Sequence, residues 1–337
     1  MPRILIAGAG IGGSYLARLL IRSGVNSGEI EVVDPGPKTR CGIAPCGFLI
    51  TRQFFSLCQE VGLDPDKYIF KRPDVAYLGK VEVKVKGYAF SIDKPAFIRD
   101  LLEGVDVAAS PSGMAAERII DATGIARAYI GRYDYDVFVP YLQRKVEFDR
   151  PALLRECLHH AGYSWVIPLQ GHSAHVGIGS ATYDSDTMRR VVEELAQGAK
   201  TICSCHGFVR GTGPILPLVR GNVWAIGEAG GIVDPLSQGG MVSAMVSAKL
   251  LVEHWDDPKG YEAAILREYG WFRKTAEIAH TWLDKNVLNI WDLSLWKQYA
   301  EFVGAEPRIS YLIHPSFVRI VLQLPRVLHL LRSARRS

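Results

Sequence analysis

The chain has 337 residues, 48% of them hydrophobic and 22% charged, enough to bury one large core or two interleaved domains. Its net charge of +4 is matched by four arginines of the tail (Arg326, Arg332, Arg335, Arg336), so the body is near neutral, which argues against nucleic-acid binding. No uninterrupted apolar stretch is long enough to span a bilayer, six cysteines lack the framework of a small secreted domain, and nine histidines show no metal-ligand spacing; a cytoplasmic protein without a metal site is expected.

Ile4 to Ala7 run straight into Gly8, Gly10 and Gly13, and Tyr15 to Ile21 follows at helical spacing. This reads as strand, glycine turn and helix rather than as a signal peptide, because the glycines break the apolar run. Gly8 serves a tight turn, Gly10 admits a pyrophosphate to the main chain, and Gly13 lets the helix pack on the strand. The free N–H groups of the helix end then face phosphates. A second strand, Glu29 to Asp34, ends in an acid; an acid there binds an adenosine ribose and repels a 2′-phosphate, favouring FAD or NAD over NADP. A glycine turn that binds nothing is the alternative.

A glycine- and proline-rich loop carrying Cys41 and Cys46 comes next, then a short helix from Thr51 to Val61. Alternation predicts a strand meander at Val75–Leu78, Val81–Val85 and Tyr88–Ile92, an amphipathic helix at Lys94–Leu102, and short strands at Val105–Ala108 and Arg118–Asp121. Asp121 to Arg127 passes from a strand into small residues and an arginine, which suits backbone N–H groups approaching a phosphate. Asp136–Phe148 is expected to be a strand of a second sheet, Leu153–His160 a short helix, Ser164–Leu169 and Ala174–Ser180 a hairpin, and Asp184–Ala199 a capped helix. Cys203 and Cys205 stand too close for an unstrained mutual disulfide and read as strand or loop residues. Asn222–Gly227 is a buried strand that opens into a small-residue loop, 228–241, and Val242–Trp255 is a helix. Residues 258–337 read as helical, broken at Gly304, Pro307, Pro315 and Pro325. Within them, 317–332 suits an interfacial helix on anionic lipid or a helix packed on the body.

The glycine turn, the Asp121-Ala-Thr-Gly124 strand end and the segment from Gly221 to Met241 together resemble the flavoprotein oxidoreductases of the p-hydroxybenzoate-hydroxylase superfamily. Pro45-Cys46-Gly47 and Gly162-Tyr-Ser-Trp-Val-Ile-Pro168 further resemble the geranylgeranyl reductase family; the likeness covers residues 1 to 260 or so. It implies an α/β fold: a Rossmann-type FAD-binding domain of the glutathione-reductase-like class (1–70, 94–130, 205–256), an interleaved antiparallel-sheet substrate domain (71–93, 131–204) and a helical C-terminal region (257–337). FAD is then expected at Gly8, Gly10, Gly12, Gly13, Asp34, Cys46, Gly47, Lys94, Gly124, Arg127, Glu228, Gly239, Gly240 and Met241. The helix from Met241 would point its N-terminus at the flavin pyrimidine ring, and a side chain at Gly239 or Gly240 would fill the ring's place. Cys46 would lie near the isoalloxazine, either as a redox thiol, with Cys41 nearest in sequence, or as a small residue packed beneath the ring.

Tyr163, Trp165 and Pro168 match the family's aromatic motif, which walls a prenyl chain, although an ordinary core tryptophan also explains Trp165. The chain departs from the pattern at Glu228 (Asp in the family), Ile167 (Phe), His160 (Pro) and Lys94 (Arg). The implied activity is reduction of carbon–carbon double bonds of geranylgeranyl chains, on an isoprenoid lipid or prenyl diphosphate, by hydride from reduced flavin. No proton donor is evident in the sequence. With no second dinucleotide fingerprint, the electrons come from an external donor such as nicotinamide, ferredoxin or another reductant. Peripheral contact with the inner membrane face through the C-terminal helix is expected. A flavin monooxygenase or halogenase, and a non-catalytic flavin- and lipid-binding protein, are the rival readings.

Overall fold

The computed structural model describes residues 4–36, 46–78, 81–84, 87, 89–113, 115–148, 154–159 and 162–285. Its base is a sheet in which β1 (Ile4–Ala7), β2 (Ile30–Val33), β8 (Val107–Ala108), β9 (Arg118–Asp121) and β16 (Val223–Ala225) run parallel in the order β16-β9-β1-β2-β8; β15 (Val219–Arg220) adds an antiparallel edge. The central strands are apolar runs rather than alternations because elements cover both faces. All four residues of β1 are buried. Helices α1 (Ile11–Arg22), α2 (Gln53–Glu60), α3 (Lys94–Leu101), α5 (Met241–Glu253) and α6 (Pro258–Tyr269) join this sheet in one core that runs from Ile6 and Tyr15 through Phe54 and Phe97 to Met245 and Tyr261. The helix α7 (Phe272–Lys285) enters that core through Phe272.

A three-stranded sheet of β3 (Leu49–Thr51), β7 (Ala89–Ile92) and β4 (Ile69–Lys71) lies against the same core through Ile50, Phe90 and Ile92. Its alternate residues Leu49 and Ala89 face the third layer. That layer is a seven-stranded sheet in the order β14-β10-β13-β12-β11-β5-β6, made of β5 (Val75–Leu78), β6 (Val81–Lys84), β10 (Phe138–Glu147), β11 (Leu154–His159), β12 (Gly162–Pro168), β13 (Ser173–Ser180) and β14 (Thr201–Arg210). Helix α4 (Ser185–Ala196) covers one face, seating Met188 and Val192 on Val146, Val166, Val176 and Ile178. The opposite face looks toward the glycine turns.

Two expectations change. Residues 154–159 form a strand, not a helix: β11 is hydrogen-bonded by β12 on one side and β5 on the other, and two-sided pairing outweighs the helix preference of Leu-Arg-Glu. The meander is interrupted, because β5 and β6 extend the large sheet while β7 pairs with β3 and β4. Residues 201–210 form a ten-residue edge strand that carries both Cys203 and Cys205. Cys203 is disulfide-bonded, whereas Cys46, Cys58 and Cys205 are free. The hairpin of β12 and β13 and the helix after it are as expected. Of the helical C-terminal region, α6 and α7 are seen; the breaks from Gly304 onward and the 317–332 segment lie outside the described residues, as does Cys41. Among the described residues no helix is long and apolar enough to cross a membrane.

The large sheet is fastened to the parallel sheet by Arg210, at the end of β14. Its side chain is 1% exposed and pairs with Asp136, 7% exposed, at 2.8 Å. The guanidinium also donates to the Ile125 carbonyl (3.0 Å), in the turn after β9, and to the Glu228 carbonyl (2.5 Å), in the turn after β16. Phe138 lies over the cation at 5.4 Å, and Thr212 donates to Asp136 at 2.5 Å. Removing one member of a buried pair strands the other charge. Asp136→Ala is therefore expected to lower unfolding free energy by roughly 3–5 kcal/mol, read from urea denaturation. A loss no larger than that of an exposed ion pair such as Arg189–Asp186 would show that the pair carries no such weight.

Candidate active site

The first wall of the site is the glycine turn. Gly8 has φ +108°, and a Cβ there would lie 2.7 Å from the Ala122 carbonyl carbon. A Cβ on Gly13 would press on Gly8 and lie 3.1 Å from the Ala122 Cβ. These two glycines bring α1 down onto β1 and β9. Gly10 differs: nothing lies within 4 Å of where its Cβ would be. Gly10 is also the N-cap of α1, and no side chain caps that helix.

Helix α5 repeats the arrangement, with Gly240 at its N-cap and no side-chain cap. By contrast α3, α4 and α6 are capped by Asp93, Asp184 and Asp257. The uncapped ends of α1 and α5 lie side by side, since Gly12 of α1 abuts Ala244 of α5 (3.3 Å from a built Cβ). Gly12, counted above with the cofactor residues, also packs α1 on α5, where a Cβ would press on Ala244. Two adjacent helix ends with orphan N–H groups make a place for negative charge. Asp34 ties the turn to β2, its carboxylate accepting from the Ala9 and Gly36 amides at 2.8 and 2.9 Å.

The second wall is the pair of turns after β9 and β16. Glu228 is half-buried, and one carboxylate oxygen accepts from the Arg210 amide at 2.8 Å. The other oxygen faces Gly124, where a Cβ would sit 3.4 Å away. Burial raises its carboxyl above the ordinary range, against the opposing pull of Arg210 and Lys94. Lys94, at the start of α3, is buried with its charge toward this carboxylate.

Arg127, read from sequence as approaching a phosphate, is committed elsewhere. It is 3% exposed, sits in the left-handed region at φ +47°, and donates to the Gly131 (2.6 Å) and Ala229 carbonyls. Burial, with Arg210 nearby, lowers its pKa to about 10. It braces two turns and has no free donor edge to offer at its Nε. In the loop 228–241, Asp234 accepts from the Leu236 and Ser237 amides and the Ser237 hydroxyl, giving the loop its own frame. Gly239 is bound inside that frame through the Asp234 amide and the Ser237 hydroxyl. A Cβ on Gly240 would press on the Val233 side chain at 3.0 Å, so the protein's own packing favours a small residue here.

The third wall is the face of the seven-stranded sheet turned away from α4. Alternation along β12 puts Tyr163, Trp165 and Ile167 on this face and Val166 on the α4 side. Pro168, named above with the substrate residues, falls on the α4 side with Val166 for the same reason. Trp165 lies flat over β13: a Cβ on Gly177 would clash with its indole, and a Cβ on Gly179 would meet the Gln238 side chain at 2.9 Å. The indole donates to Gln143 (3.1 Å), whose amide donates to the Cys46 carbonyl (3.1 Å). Tyr163 donates to the Ser237 carbonyl, so it pins the 228–241 loop to the sheet.

The Cys46-Gly47-Phe48 turn closes the space. Phe48 has φ +63°, a strained conformation for a bulky side chain. His175 holds the turn, its Nδ1 donating to the Gly47 carbonyl (3.3 Å) while its ring meets Phe48 edge-on at 4.8 Å. Burial lowers the His175 pKa to about 4, so the ring is neutral near pH 7. A Cβ on Gly47 would reach Ile167 at 2.8 Å. The Cys46 sulfur contacts the Met241 sulfur at 3.6 Å, which joins this turn to the open end of α5. Gly8, Gly10, Gly124, Glu228, Lys94, Cys46, Gly47, Met241 and the aromatic wall therefore border one region. Arg210, Gln143, His175 and Gln238 were not singled out from sequence. The one signal was Gly177 and Gly179, alternate glycines on a strand, which mark a face where bulky neighbours need room. Among the described residues no cluster suits a metal ion.

Residues 144–291 match the tryptophan halogenase family. The chain is 26% identical over 302 residues to digeranylgeranylglycerophospholipid reductase of Methanosphaerula palustris, covering 74% of this chain and 75% of that protein. It is 28% identical over 234 residues to the enzyme of that name from Methanoculleus marisnigri, covering 63% and 58%. A geranylgeranyl bacteriochlorophyll reductase-like protein from Thermoplasma acidophilum superposes with TM-score 0.67 at 17% identity, over 89% of this chain and 96% of that one. The flavin-dependent halogenase CmlS superposes with TM-score 0.64 at 14% identity, over 96% and 78%. HpxO of Klebsiella pneumoniae, solved with FAD, superposes with TM-score 0.62 at 14% identity, over 91% and 95%. The chain thus has the fold shared by flavin-dependent reductases, halogenases and monooxygenases, and its curated relatives include the digeranylgeranylglycerophospholipid reductases.

Proposed function

We propose that this chain binds FAD and reduces carbon–carbon double bonds of geranylgeranyl chains on an isoprenoid lipid, drawing electrons from an external reductant. The carrying observation is the juxtaposition of two uncapped, glycine-started helices, α1 and α5, with the Tyr163–Trp165–Ile167 wall. The open space at Gly10 fits a pyrophosphate, and the end of α1 meets its charge. Lys94 adds a cation beside Glu228. The open end of α5 stabilises anionic charge by about 0.3–1 kcal/mol when exposed and up to about 2 kcal/mol when partly buried. Reduced FAD, when bound, supplies hydride.

The protein's own residues supply position and dryness. Trp165 and Ile167 offer a long apolar chain a rigid surface, and the Gln143–Cys46 link keeps the sheet close to the turn that faces α5. An unactivated alkene is a poor hydride acceptor, so tight placement must supply much of the rate. The relatives' names support a lipid substrate. Such a lipid resides in a membrane, and the basic, apolar 317–332 stretch fits peripheral contact at its inner face. The match of 144–291 to the tryptophan halogenase family favours one rival, oxygen-dependent chemistry on a small aromatic. That reading requires halide-dependent product formation in air.

The direct test is to reduce the FAD-loaded protein with dithionite without oxygen and add digeranylgeranylglycerophospholipid. Reoxidation with a mass gain of two per alkene is expected; bleached flavin that stays bleached over every prenyl lipid rules the reading out. Gly10→Val is expected to leave the thermal midpoint unchanged, because nothing lies near its Cβ, yet to weaken FAD binding at least tenfold by calorimetric titration. Trp165→Ala is expected to bind a saturated prenyl lipid about tenfold more weakly, equivalent to ~1.4 kcal/mol, with FAD affinity unaltered. Unchanged lipid affinity would place the chain elsewhere.

A further inference from the structure

On the sheet face that borders the site, most polar side chains are already committed within the protein. Trp165 donates to Gln143, Gln143 to Cys46, Tyr163 to Ser237 and His175 to Gly47. Tyr141, on β10, is a polar group of this face that is not committed: its hydroxyl has no hydrogen bond to the described residues and is not sealed off. The residues beside it on both neighbouring strands are glycines, Gly179 on β13 and Gly207 on β14. The phenol lies over β14, where a Cβ on Gly207 would come within 2.8 Å of its oxygen. Its ring packs with the Trp165–Ile167 cluster, alongside Leu49 and Ala89 of the facing sheet. The residue packs in the Trp165–Ile167 cluster while its oxygen lies over Gly207, which leaves an uncommitted O–H donor on the sheet face that borders the site.

The groups around that hydroxyl keep it protonated. Burial raises the Tyr141 pKa most, and Cys205, Cys46 and Glu228 raise it further; no cation opposes them. The phenol therefore carries its proton at neutral pH. An alkene reduction needs one such proton, and the sequence offers no other evident donor.

We propose that Tyr141 is the proton donor of the reaction, an assignment that rests on the alkene-reduction reading above. The phenolic O–H bond breaks and its proton forms a C–H bond at one alkene carbon. The other carbon gains a hydride, with both electrons, from a dihydroflavin, and the π bond is lost. The phenolate then takes a proton from water. A positioned acid of this kind contributes roughly 10²–10⁴-fold.

Tyr141→Phe keeps the ring and removes only the hydroxyl. Its thermal midpoint is expected to be unchanged, and its FAD affinity and its affinity for a saturated prenyl lipid, read by calorimetric titration, to stay within about twofold, since the hydroxyl holds nothing in the protein. Lipid-driven reoxidation of the reduced protein is expected to fall ~100-fold or more. In deuterium oxide the wild type places deuterium on a single face of one alkene carbon, and the residual product of the variant loses that selectivity. Wild-type rate and facial selectivity in Tyr141→Phe overturn the assignment. So does a loss of lipid binding as large as the loss of rate, which marks a positioning role. The same collapse in Cys205→Ser, with Tyr141→Phe intact, transfers the role to the thiol. A wild-type protein that reduces no prenyl lipid sinks the activity itself, and the assignment of Tyr141 with it.

Discussion

A buried guanidinium joins the two halves of this molecule. Arg210 ends the edge strand of the large sheet, and its donors reach Asp136 and the turns that follow the two adjacent parallel strands β9 and β16. In α/β sheets those strand ends are where ligands bind. The same interaction that fixes the large sheet therefore sets its distance from the helix ends. Without it the aromatic wall and the glycine turn would be surfaces on separate layers. The desolvation of the cation is offset by the Asp136 carboxylate, the Gly124, Ile125 and Glu228 carbonyls and the Phe138 ring.

Glycine does three different jobs around the site. Gly8 and Gly13 allow main chain to touch main chain, and Gly12 lets one helix lie on another. Gly10 leaves a space that no protein atom fills. On the large sheet Gly177, Gly179 and Gly207 are sockets for Trp165, Gln238 and Tyr141. Identical residues thus serve backbone closeness, ligand room and side-chain orientation. The three uses are told apart by what a Cβ would meet: main chain, open space or a side chain.

Strain and neutrality are placed where the turn Cys46–Phe48 meets the site. Phe48 is held in the left-handed region between Ile92, whose amide binds its carbonyl, and His175, whose ring abuts its own. His175 is kept uncharged by burial, so it positions the turn without adding a cation beside Cys46. Burial, with Cys205, Cys46 and Glu228 adding to it, keeps the Tyr141 phenol protonated.

The sequence by itself determined the elements whose signals are local. The Ile4–Ala7 strand with its glycine turn, the acidic end of the second strand, the hairpin through Trp165 and the loop before Met241 are each specified by residues within a few positions of one another. Glycine conformations, capping and alternation act at that range. Tertiary structure decided what depends on partners far along the chain. Residues 154–159 became a strand because β5 and β12 supplied hydrogen bonds from both sides. Arg127 became a brace because the Ala229 carbonyl, a hundred residues on, lies against it. Pro168 was turned from the site by the pleat of β12 beneath α4, and Arg210 and Tyr141 gained their roles only when β14 paired with β10. A side chain's type is written locally, but whether its donor is committed or free depends on which distant oxygen or cavity folding brings to it.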